Sequence, residues 1–295
     1  MVQISLDELN KVDKSAFAKS LADIFEHAPW VADAVHVRQP FSTLASLYDA
    51  LTRVVQGAGS EQQILLIKGH PDLAGKAMRS GSMTMDSKAE QASAGLDRLS
   101  DEEFEIFHRY NDAYRSKFAM PFIVCVRRHT KDSILRQFEM RLKNDAAAER
   151  KNALAEVLRI AALRLDQRVA APDHLKVNGR LSSHVLDTHG GRPAVGVAIE
   201  LFEVANSGAS TLIARAVTDS DGRPEKPLIA DRPIPIGCYE LRFAIGEYFS
   251  RLGLPQADPP FLSIVPIRFS VAEPEGHYHV PLLATPWSYA SYRGS

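Results

Sequence analysis

Short stretches in the second half of the chain carry side chains that can move protons or hold an anion. LSSHVLDTHGGRPA contains His184, TDSDGRPEKPL contains Arg223 just after an Asp-Gly turn, and EGHYHVPLL contains His277 and His279. On a strand, side chains two residues apart point to the same face, so His277 and His279 share one face. Imidazoles beside a guanidinium suit the binding of a small polar anion and proton transfer near neutral pH.

These side chains also have simpler interpretations. A single strand histidine such as His184 is more often a partly buried structural residue, and an arginine after Asp-Gly, such as Arg223, is more often a solvated turn residue. His277 and His279 could also bind zinc with His184 as the third ligand, since three imidazoles and a water form a catalytic zinc site. The spacing alone leaves these alternatives open.

A second candidate site lies in the first half of the chain, at LLIKGHPDLAG. Pro71 disfavours helix at His70, which places this histidine at an irregular junction where a functional group can be presented. Further on, Ser87 and Glu90 in SKAEQASAGL have the spacing of a capping box at a helix start. Arg164 in RIAALRL could be an edge residue that extends its charged end to solvent.

The totals are those of an ordinary soluble protein. The 295 residues are 45% apolar and 24% charged with a net charge of −1, which favours two globular domains and neither nucleic-acid nor membrane binding. No apolar run approaches the ~20 residues of a membrane span, and the N-terminus lacks a secretory-signal pattern. The distant Cys125 and Cys238 favour a reducing compartment. The predicted location is the cytoplasm, or the peroxisome if the source is eukaryotic.

The elements that must position the first candidate site are predicted to be helices. Apolar residues in KNALAEVLRIAALRLDQRV recur at spacings of three and four, the pattern of one apolar helical stripe. Ser100 followed by Glu103 predicts a capped helix start, and QPFSTLASLYDALTRVV predicts a helix that begins near Ser42. The first half is therefore predicted to be an all-α helical bundle.

From about residue 175 the pattern changes to short strands. Segments rich in Val, Ile, Phe and Tyr are separated by turn residues, and Tyr239, Leu241, Phe243 and Ile245 alternate with other residues. This predicts an antiparallel β-sandwich, and Pro172 should end the preceding helix. The predicted division is residues 1–169, an all-α domain; residues 170–177, a linker; and residues 178–295, a β-sandwich domain.

The β half resembles the transthyretin-related 5-hydroxyisourate hydrolases in SHVLDTHGGRPA, DGR, YELRF, GEYF, HYHVPLL, PWSY and the terminal YRGS. The resemblance implies hydrolysis of the ring amide of 5-hydroxyisourate, without metal or organic cofactor, in a homotetramer whose sites lie where subunits meet. By position it implies catalytic roles for His184, Arg223, His279 and Ser295, and substrate binding by Tyr292. A neutral histidine of the His184/His279 pair would take a proton from water. Arg223 would offset the developing negative charge, and Ser295 would orient His279.

Residues 8 to 168 resemble the 2-oxo-4-hydroxy-4-carboxy-5-ureidoimidazoline (OHCU) decarboxylases in GHPDLAG, S-x-x-EQ-x-x-AGL, PFIVCV and RIAALRL. The resemblance implies cofactor-free decarboxylation in which His70, paired with Glu90, is the acid for stereospecific protonation. The positions that it assigns to substrate contact are Pro71, Ser87, Gln91, Phe122, Ile123, Val124, Cys125, Val126 and Arg164.

The two resemblances name consecutive reactions of urate breakdown, because the product of the hydrolase is the substrate of the decarboxylase. Together they imply that one chain takes 5-hydroxyisourate to (S)-allantoin after a urate-oxidising enzyme. They also imply tetramer contacts through the hydrolase domain and dimer contacts through the decarboxylase domain. An alternative function is a small-molecule-binding transthyretin-like module on a helical assembly domain.

Overall fold

A computed structural model describes residues 3–74 and 84–294 of the chain. The chain divides into two compact units, the first Met1–Arg127 with Ser133–Val177 and the second Arg128–Asp132 with Asn178–Ser295. Within the described ranges, every helix is too short or too polar to cross a bilayer.

The first unit is predominantly helical, and its helices begin at capping residues. Ser100 caps a helix with its hydroxyl, which accepts from the Glu103 N–H, and its own N–H donates to the Glu103 carboxylate, as predicted. The helix expected near Ser42 begins at Leu44, with Thr43 as its cap. In chain order the helices are α1 Leu6–Leu9, α2 Lys14–Ser20, α3 Pro29–Val35, α4 Leu44–Gly57, α5 Ser60–Lys68, α6 Met85–Ser93, α7 Asp101–Phe118, α8 Lys131–Arg141 and α9 Ala146–Arg168. The first two residues of α8 belong to the second unit. Short 3₁₀ helices lie between these helices, at His36–Arg38, Leu96–Arg98 and Val126–Arg128.

Two features of this unit differ from the sequence prediction. A short parallel pair joins β1, Ile4–Ser5, to β2, Val169–Ala170, so the described part is not purely α. Helix α9 is also buried on nearly all sides between Leu154 and Asp166, rather than along one apolar stripe. The interpretation of Arg164 as a solvent-reaching edge residue is therefore wrong, because only 7% of this residue is exposed.

The second unit consists mainly of two β-sheets. Its strands are β3 Gly179–Asp187, β4 Arg192–Pro193, β5 Ala198–Val204, β6 Ser210–Val217, β7 Ile229–Arg232, β8 Gly237–Phe243, β9 Val265–Val271, β10 His277–Ala284 and β11 Tyr289–Ser291. One sheet has the order β6-β5-β8-β9, and the other has the order β11-β10-β3-β4 with β7 also paired to β3. Both sheets contribute to one buried core, in which Tyr239, Leu241 and Phe243 alternate as predicted. Ile245 instead begins a helix, α10, Ile245–Arg251.

One strand pair corrects the prediction of a purely antiparallel fold. Strand β10 runs parallel to β3, with His279 opposite Ser182 and Pro281 opposite His184. The neighbouring residues Tyr278 and Val280 point into the core. The histidines of β3 and β10 therefore lie together on the face of the sheet that points away from the core.

Candidate active sites

His70 lies at the irregular junction that the sequence predicts, two residues after the end of α5. Its ring Nδ1 is 3.0 Å from the carbonyl oxygen of Leu66. Since a carbonyl only accepts, Nδ1 carries the proton and Nε2 of the neutral ring is left as an acceptor. Burial lowers the pKa of His70 to about 4, although the Leu66 carbonyl and the Glu26 carboxylate act in the opposite direction. The imidazole is therefore neutral at pH 7.

Most of the predicted decarboxylase-type residues converge on one cavity beside His70. We call it the His70 cavity, and it is lined by His70, Pro71, Leu73, Ser87, Glu90, Gln91, Phe122, Ile123, Val124, Val126, Ile160 and Arg164. Cys125 is not among the lining residues, and its N–H donates to the Glu156 carboxylate at 2.8 Å. The cavity volume of about 30 Å³ is far below the ~300 Å³ at the lower end of ligand pockets, so a bound substrate requires a side chain to move.

Arg164 is the charged centre of this site. Its Nε and Nη2 donate to the two carboxylate oxygens of Glu90, both at 2.8 Å, and its Nη1 donates to the carbonyl oxygen of Asp23 at 3.0 Å. Burial alone would lower the pKa of Arg164, but the Glu90 and Glu26 carboxylates raise it. In the described structure Glu90 therefore pairs with Arg164, and not with His70 as predicted.

Ser87 does not cap α6. The helix begins at Met85, and its cap is Thr84, whose hydroxyl accepts from the Ser87 N–H at 3.3 Å. The Ser87 hydroxyl instead donates to the carboxylate of Glu26. The capping-box interpretation of Ser87 and Glu90 is therefore wrong, and both side chains face the site.

Glu26 is a site residue that sequence reasoning missed. Its carboxylate accepts from Ser87 and from the Thr84 hydroxyl at 2.9 Å, and it lies 3.2 Å from Nη2 of Arg164. Burial alone would raise the pKa of Glu26, but the hydrogen bond from Ser87 and the charge of Arg164 hold it below the ordinary value. The sequence could not indicate this role, because the partners of Glu26, Ser87 and Arg164, lie 61 and 138 residues further along the chain.

Gln91 holds the loop that follows His70. Its Oε1 accepts from the Ala74 N–H at 2.8 Å, and its Nε2 donates to the Asp72 carbonyl at 3.2 Å. Asn111 donates to the Leu73 carbonyl between them at 2.8 Å. Gln91 thus supports the backbone of the loop as well as lining the cavity.

Replacing Gln91 by leucine is expected to loosen this loop. The change leaves the buried Ala74 N–H without its acceptor, which costs about 1–3 kcal/mol of unfolding free energy. Chemical denaturation of the variant monitors this loss, with Gln62→Leu at an exposed position of α5 as a control. Unchanged stability together with an unchanged decarboxylation rate would contradict the role of Gln91 in the loop.

The far wall of the His70 cavity is held by a buried ion pair. Arg141 donates through Nη2 to the Glu149 carboxylate at 2.6 Å and through Nη1 to the Ile123 carbonyl at 2.6 Å. Tyr114 also donates to Glu149, which is fully buried, and the Arg141 guanidinium lies over the Phe122 ring. These contacts fix residues 122 and 123 where they border the cavity.

The second candidate site lies on the outward face of β3 and β10. A cleft of about 310 Å³, here called the histidine cleft, is lined by Arg180, Ser182, Ser183, Arg223, Pro224, Glu225, Lys226, Pro227, His277 and His279. His184 is not among these lining residues, although it lies two residues beyond Ser182 on the same face of β3. The structure therefore brings Arg223 together with His277 and His279, and places His184 beside them.

Ser182 joins the two histidines of β10. Its hydroxyl lies 3.2 Å from Nε2 of His277 and 3.0 Å from Nδ1 of His279. A hydroxyl has one proton, so Ser182 can donate to one ring and accept from the other. When it accepts from Nδ1–H of His279, Nε2 of His279 is left free to act as a base. His277 takes part in this arrangement, although the family resemblance assigned it no role.

The electrostatics of the cleft favour neutral histidines. Burial and the positive charge of Arg223 lower the pKa of both His184 and His279. The Nε2 atom of His184 is buried and has no hydrogen-bond partner in the part of the chain that the structure describes. A neutral ring with an available nitrogen is what a general base requires.

The residues after β11 run back along the histidine strand. The Gly294 N–H donates to the His279 carbonyl at 2.9 Å, and the Arg293 guanidinium lies 5.1 Å from the centre of the Tyr278 ring. Tyr292 is 60% exposed, and Ser295 lies outside the described residues. Among residues 3–74 and 84–294, no cluster of three or more His, Cys, Asp or Glu side chains is arranged to hold a metal ion.

The fold and the two clusters define a two-domain chain in which a helical decarboxylase-type domain precedes a transthyretin-like β domain. The OHCU decarboxylase family matches residues 10–166, and the HIUase/Transthyretin family matches residues 181–294. The chain belongs to the OHCU decarboxylase family through its first half and to the HIUase/Transthyretin family through its second.

Individual relatives agree with this assignment. A 2-oxo-4-hydroxy-4-carboxy-5-ureidoimidazoline decarboxylase of Halalkalicoccus jeotgali is 39% identical over 173 residues, which cover 59% of this chain and 96% of the relative. A 5-hydroxyisourate hydrolase of Halalkalibacterium halodurans is 46% identical over 119 residues, which cover 40% of this chain and all of the relative. The crystal structure of (S)-allantoin synthase is 32% identical and matches with a TM-score of 0.54, over 99% of this chain and all of that one.

Proposed function

We propose that this chain carries out two consecutive steps of urate degradation, hydrolysing 5-hydroxyisourate to OHCU and decarboxylating OHCU to (S)-allantoin. The observation that carries the proposal is the convergence of the expected side chains within each unit. His70, Ser87, Glu90 and Arg164 meet in one cavity of the decarboxylase domain. Imidazoles and Arg223 meet in one cleft of the hydrolase domain.

The histidine cleft suits the hydrolysis of a cyclic amide. A neutral imidazole, from His184 or His279, takes a proton from water, and the resulting hydroxide attacks the ring carbonyl. The carbonyl π electrons move to oxygen, and Arg223 stabilises this developing negative charge. The ring C–N bond then breaks, and the protonated imidazole returns its proton to the leaving nitrogen. Tyr292 and Ser295 complete the site in this proposal, as substrate-binding and orienting residues.

The His70 cavity suits a decarboxylation whose electrons pass into the substrate ring. Arg164 binds the substrate carboxylate, and the C–CO₂ bond at carbon 4 breaks with its electron pair moving toward the adjacent ring C=N. The ring nitrogen takes the solvent proton that replaces CO₂. Neutral His70 accepts the 4-hydroxyl proton on Nε2 and delivers it to carbon 5 from one face, which leaves a carbonyl at carbon 4. His70 is thus a base before it is an acid.

The same proposal covers the domain limits and the assembly. It divides the chain into a helical bundle of residues 1–169, a linker of residues 170–177 and a transthyretin-like β-sandwich of residues 178–295. It places a homotetramer at the hydrolase domain, supported by aromatic side chains that are 46–60% exposed at Trp287, Tyr289 and Tyr292. The two free cysteines support a reducing compartment, for which we propose the cytoplasm.

The test starts from urate and a urate oxidase and adds this protein. We expect faster loss of the 5-hydroxyisourate absorbance and growth of the circular dichroism of a single allantoin enantiomer. A chain pretreated with a chelator is the control for the zinc alternative, and retention of its hydrolase rate supports the metal-free mechanism. Racemic allantoin formed at the uncatalysed rate would refute the proposal and favour a binding module.

A further inference from the structure

Two carboxylates share the guanidinium of Arg164, and they are held very differently. Glu90 occupies the paired Nε and Nη2 donors at 2.8 Å and borders the His70 cavity, with 16% of its side chain exposed. Glu26 contacts Nη2 alone, does not border that cavity, and has only 3% of its side chain exposed. Glu90 therefore faces the incoming substrate, and Glu26 stands behind Arg164.

The paired donors that Glu90 occupies are those that a substrate carboxylate would take. A carboxylate bound bidentately by arginine needs two parallel N–H groups, and Nε with Nη2 provides them. Glu90 also borders a neighbouring cavity of about 220 Å³, with Asp86 and Arg127 among its lining residues. This cavity gives the Glu90 side chain room to leave Arg164 when the substrate enters.

Arg164 needs other partners once Glu90 has moved. The Asp23 carbonyl holds Nη1 at 3.0 Å, and the Glu26 carboxylate remains 3.2 Å from Nη2. Glu26 also accepts from the Ser87 hydroxyl, which leaves the Ser87 oxygen to accept from Nη2 at 3.3 Å. Glu26 is thus the carboxylate that stays on Arg164 after Glu90 has moved, and it is the acceptor that orients the Ser87 hydroxyl.

The backbone of Glu26 packs closely against the residue that precedes His70. Its carbonyl oxygen lies where a Cβ on Gly69 would approach within 3.2 Å, so Gly69 allows close packing immediately before His70. The next residue, His27, has a φ of 50°, a left-handed conformation that non-glycine residues seldom adopt and that is common near functional sites. The Glu26 side chain therefore contacts Ser87 on α6 and Arg164 on α9, while its backbone packs against Gly69.

We propose that Glu26 is a positioning residue of the decarboxylation, which holds Arg164 and Ser87 in place while the substrate carboxylate replaces Glu90 on the guanidinium. Its negative charge also acts on His70, in opposition to Arg164. This inference rests on the proposed decarboxylase function and assigns different tasks to the two glutamates of the site.

The test compares Glu26→Gln with Glu26→Asp in the full chain. Glu26→Gln keeps the shape of the side chain but removes the charge that holds Arg164, and hydrogen bonds to charged groups account for about 10- to 100-fold in such measurements. We expect kcat/KM for OHCU to fall by that factor, mainly through KM. The acidic limb of the pH profile should move to lower pH, because the charge that raises the pKa of His70 is gone. Glu26→Asp keeps the charge, so it should raise KM several-fold and leave the limb in place.

Two controls make the result decisive. The helical circular dichroism of each preparation reports that the first unit, which contains Glu26, is folded, and the hydrolase rate reports on the second unit. Glu139→Gln removes a surface carboxylate that accepts from Tyr110, away from the site. If the wild-type chain is active and Glu26→Gln has the same kcat, KM and pH profile, the role of Glu26 is refuted and the proposed decarboxylase function is not. If Glu26→Gln does not fold, an unchanged KM in Glu26→Asp would refute it. A wild-type chain without decarboxylase activity would refute the proposed function, and the role of Glu26 with it.

Discussion

Replacing His70 by asparagine is expected to lower the rate of OHCU decarboxylation by about 10²- to 10⁴-fold, the usual contribution of a general acid–base residue. Asparagine keeps a donor for the Leu66 carbonyl but has no basic nitrogen at the position of Nε2. The variant should also lose enantiomeric selectivity, because carbon 5 then receives its proton from solvent. Circular dichroism of the allantoin formed measures both effects in one experiment.

The matched control for this variant is His108→Asn. His108 lies on α7 with 40% of its side chain exposed, near Asp112, and we expect its replacement to change neither rate nor selectivity. The hydrolase rate of His70→Asn should equal that of the wild type, since the histidine cleft belongs to the other domain. A His70→Asn protein that still forms one enantiomer at the normal rate would defeat this mechanism.

The protonation state of His70 also sets the direction of its pH dependence. With a pKa of about 4 in the folded chain and an ordinary value near 6.5 when unfolded, His70 takes up a proton on unfolding anywhere between these values. Its contribution to stability is therefore complete above about pH 6.5 and is lost as the pH falls toward 4. In the folded chain, the neutral form of His70 that can accept a proton predominates down to about pH 4. On the acidic side, kcat/KM for decarboxylation should therefore fall only near pH 4.

The sequence predicted the local placement of the candidate residues better than it predicted the partners that they contact. The two-residue period of a strand correctly placed His277 and His279 on one face, because side-chain direction is a local property. Which strand lies beside them is not local, and the parallel pairing of β10 with β3 brought Ser182 between the two rings without any sequence signal. A prediction of antiparallel strands could not have placed Ser182 beside these two histidines.

The same limit applies to the helical domain. Pro71 correctly located His70 at the end of a helix, since proline restricts the residue before it. Ser87 was instead predicted to cap a helix, because its spacing to Glu90 fits a capping box, yet Thr84 takes that place. Glu26 was invisible, since its role comes only from packing against distant segments. Local chemistry is readable from sequence, whereas the charge balance around it is set by tertiary contacts.

Deleting residues 292–295 is expected to lower the hydrolase rate by at least about 100-fold while leaving decarboxylation unchanged. The deletion removes the Gly294 N–H that holds the His279 carbonyl at 2.9 Å, and with it the backbone that packs against the His279 ring. It also removes Arg293 from the face of Tyr278, and the proposed substrate-binding residue Tyr292. Among the described residues, the Ser182 hydroxyl at 3.0 Å would then be the remaining hydrogen-bond partner of the His279 ring, which would sample orientations unsuited to taking a proton from water.

A single substitution separates the two effects of that deletion. A Cβ at Gly294 would lie 2.6 Å from Cδ2 of His279, so Gly294→Ala must displace the ring although Tyr292 and Arg293 remain. We expect its hydrolase kcat to fall with little change in KM, whereas Tyr292→Ala should act mainly on KM. Absorbance decay of 5-hydroxyisourate measures both, and decarboxylation by the same protein is the internal control. If the truncated chain hydrolysed 5-hydroxyisourate at the full rate, hydrolysis would require neither Tyr292 nor Ser295, and the orientation of His279 would not depend on residues 292–295.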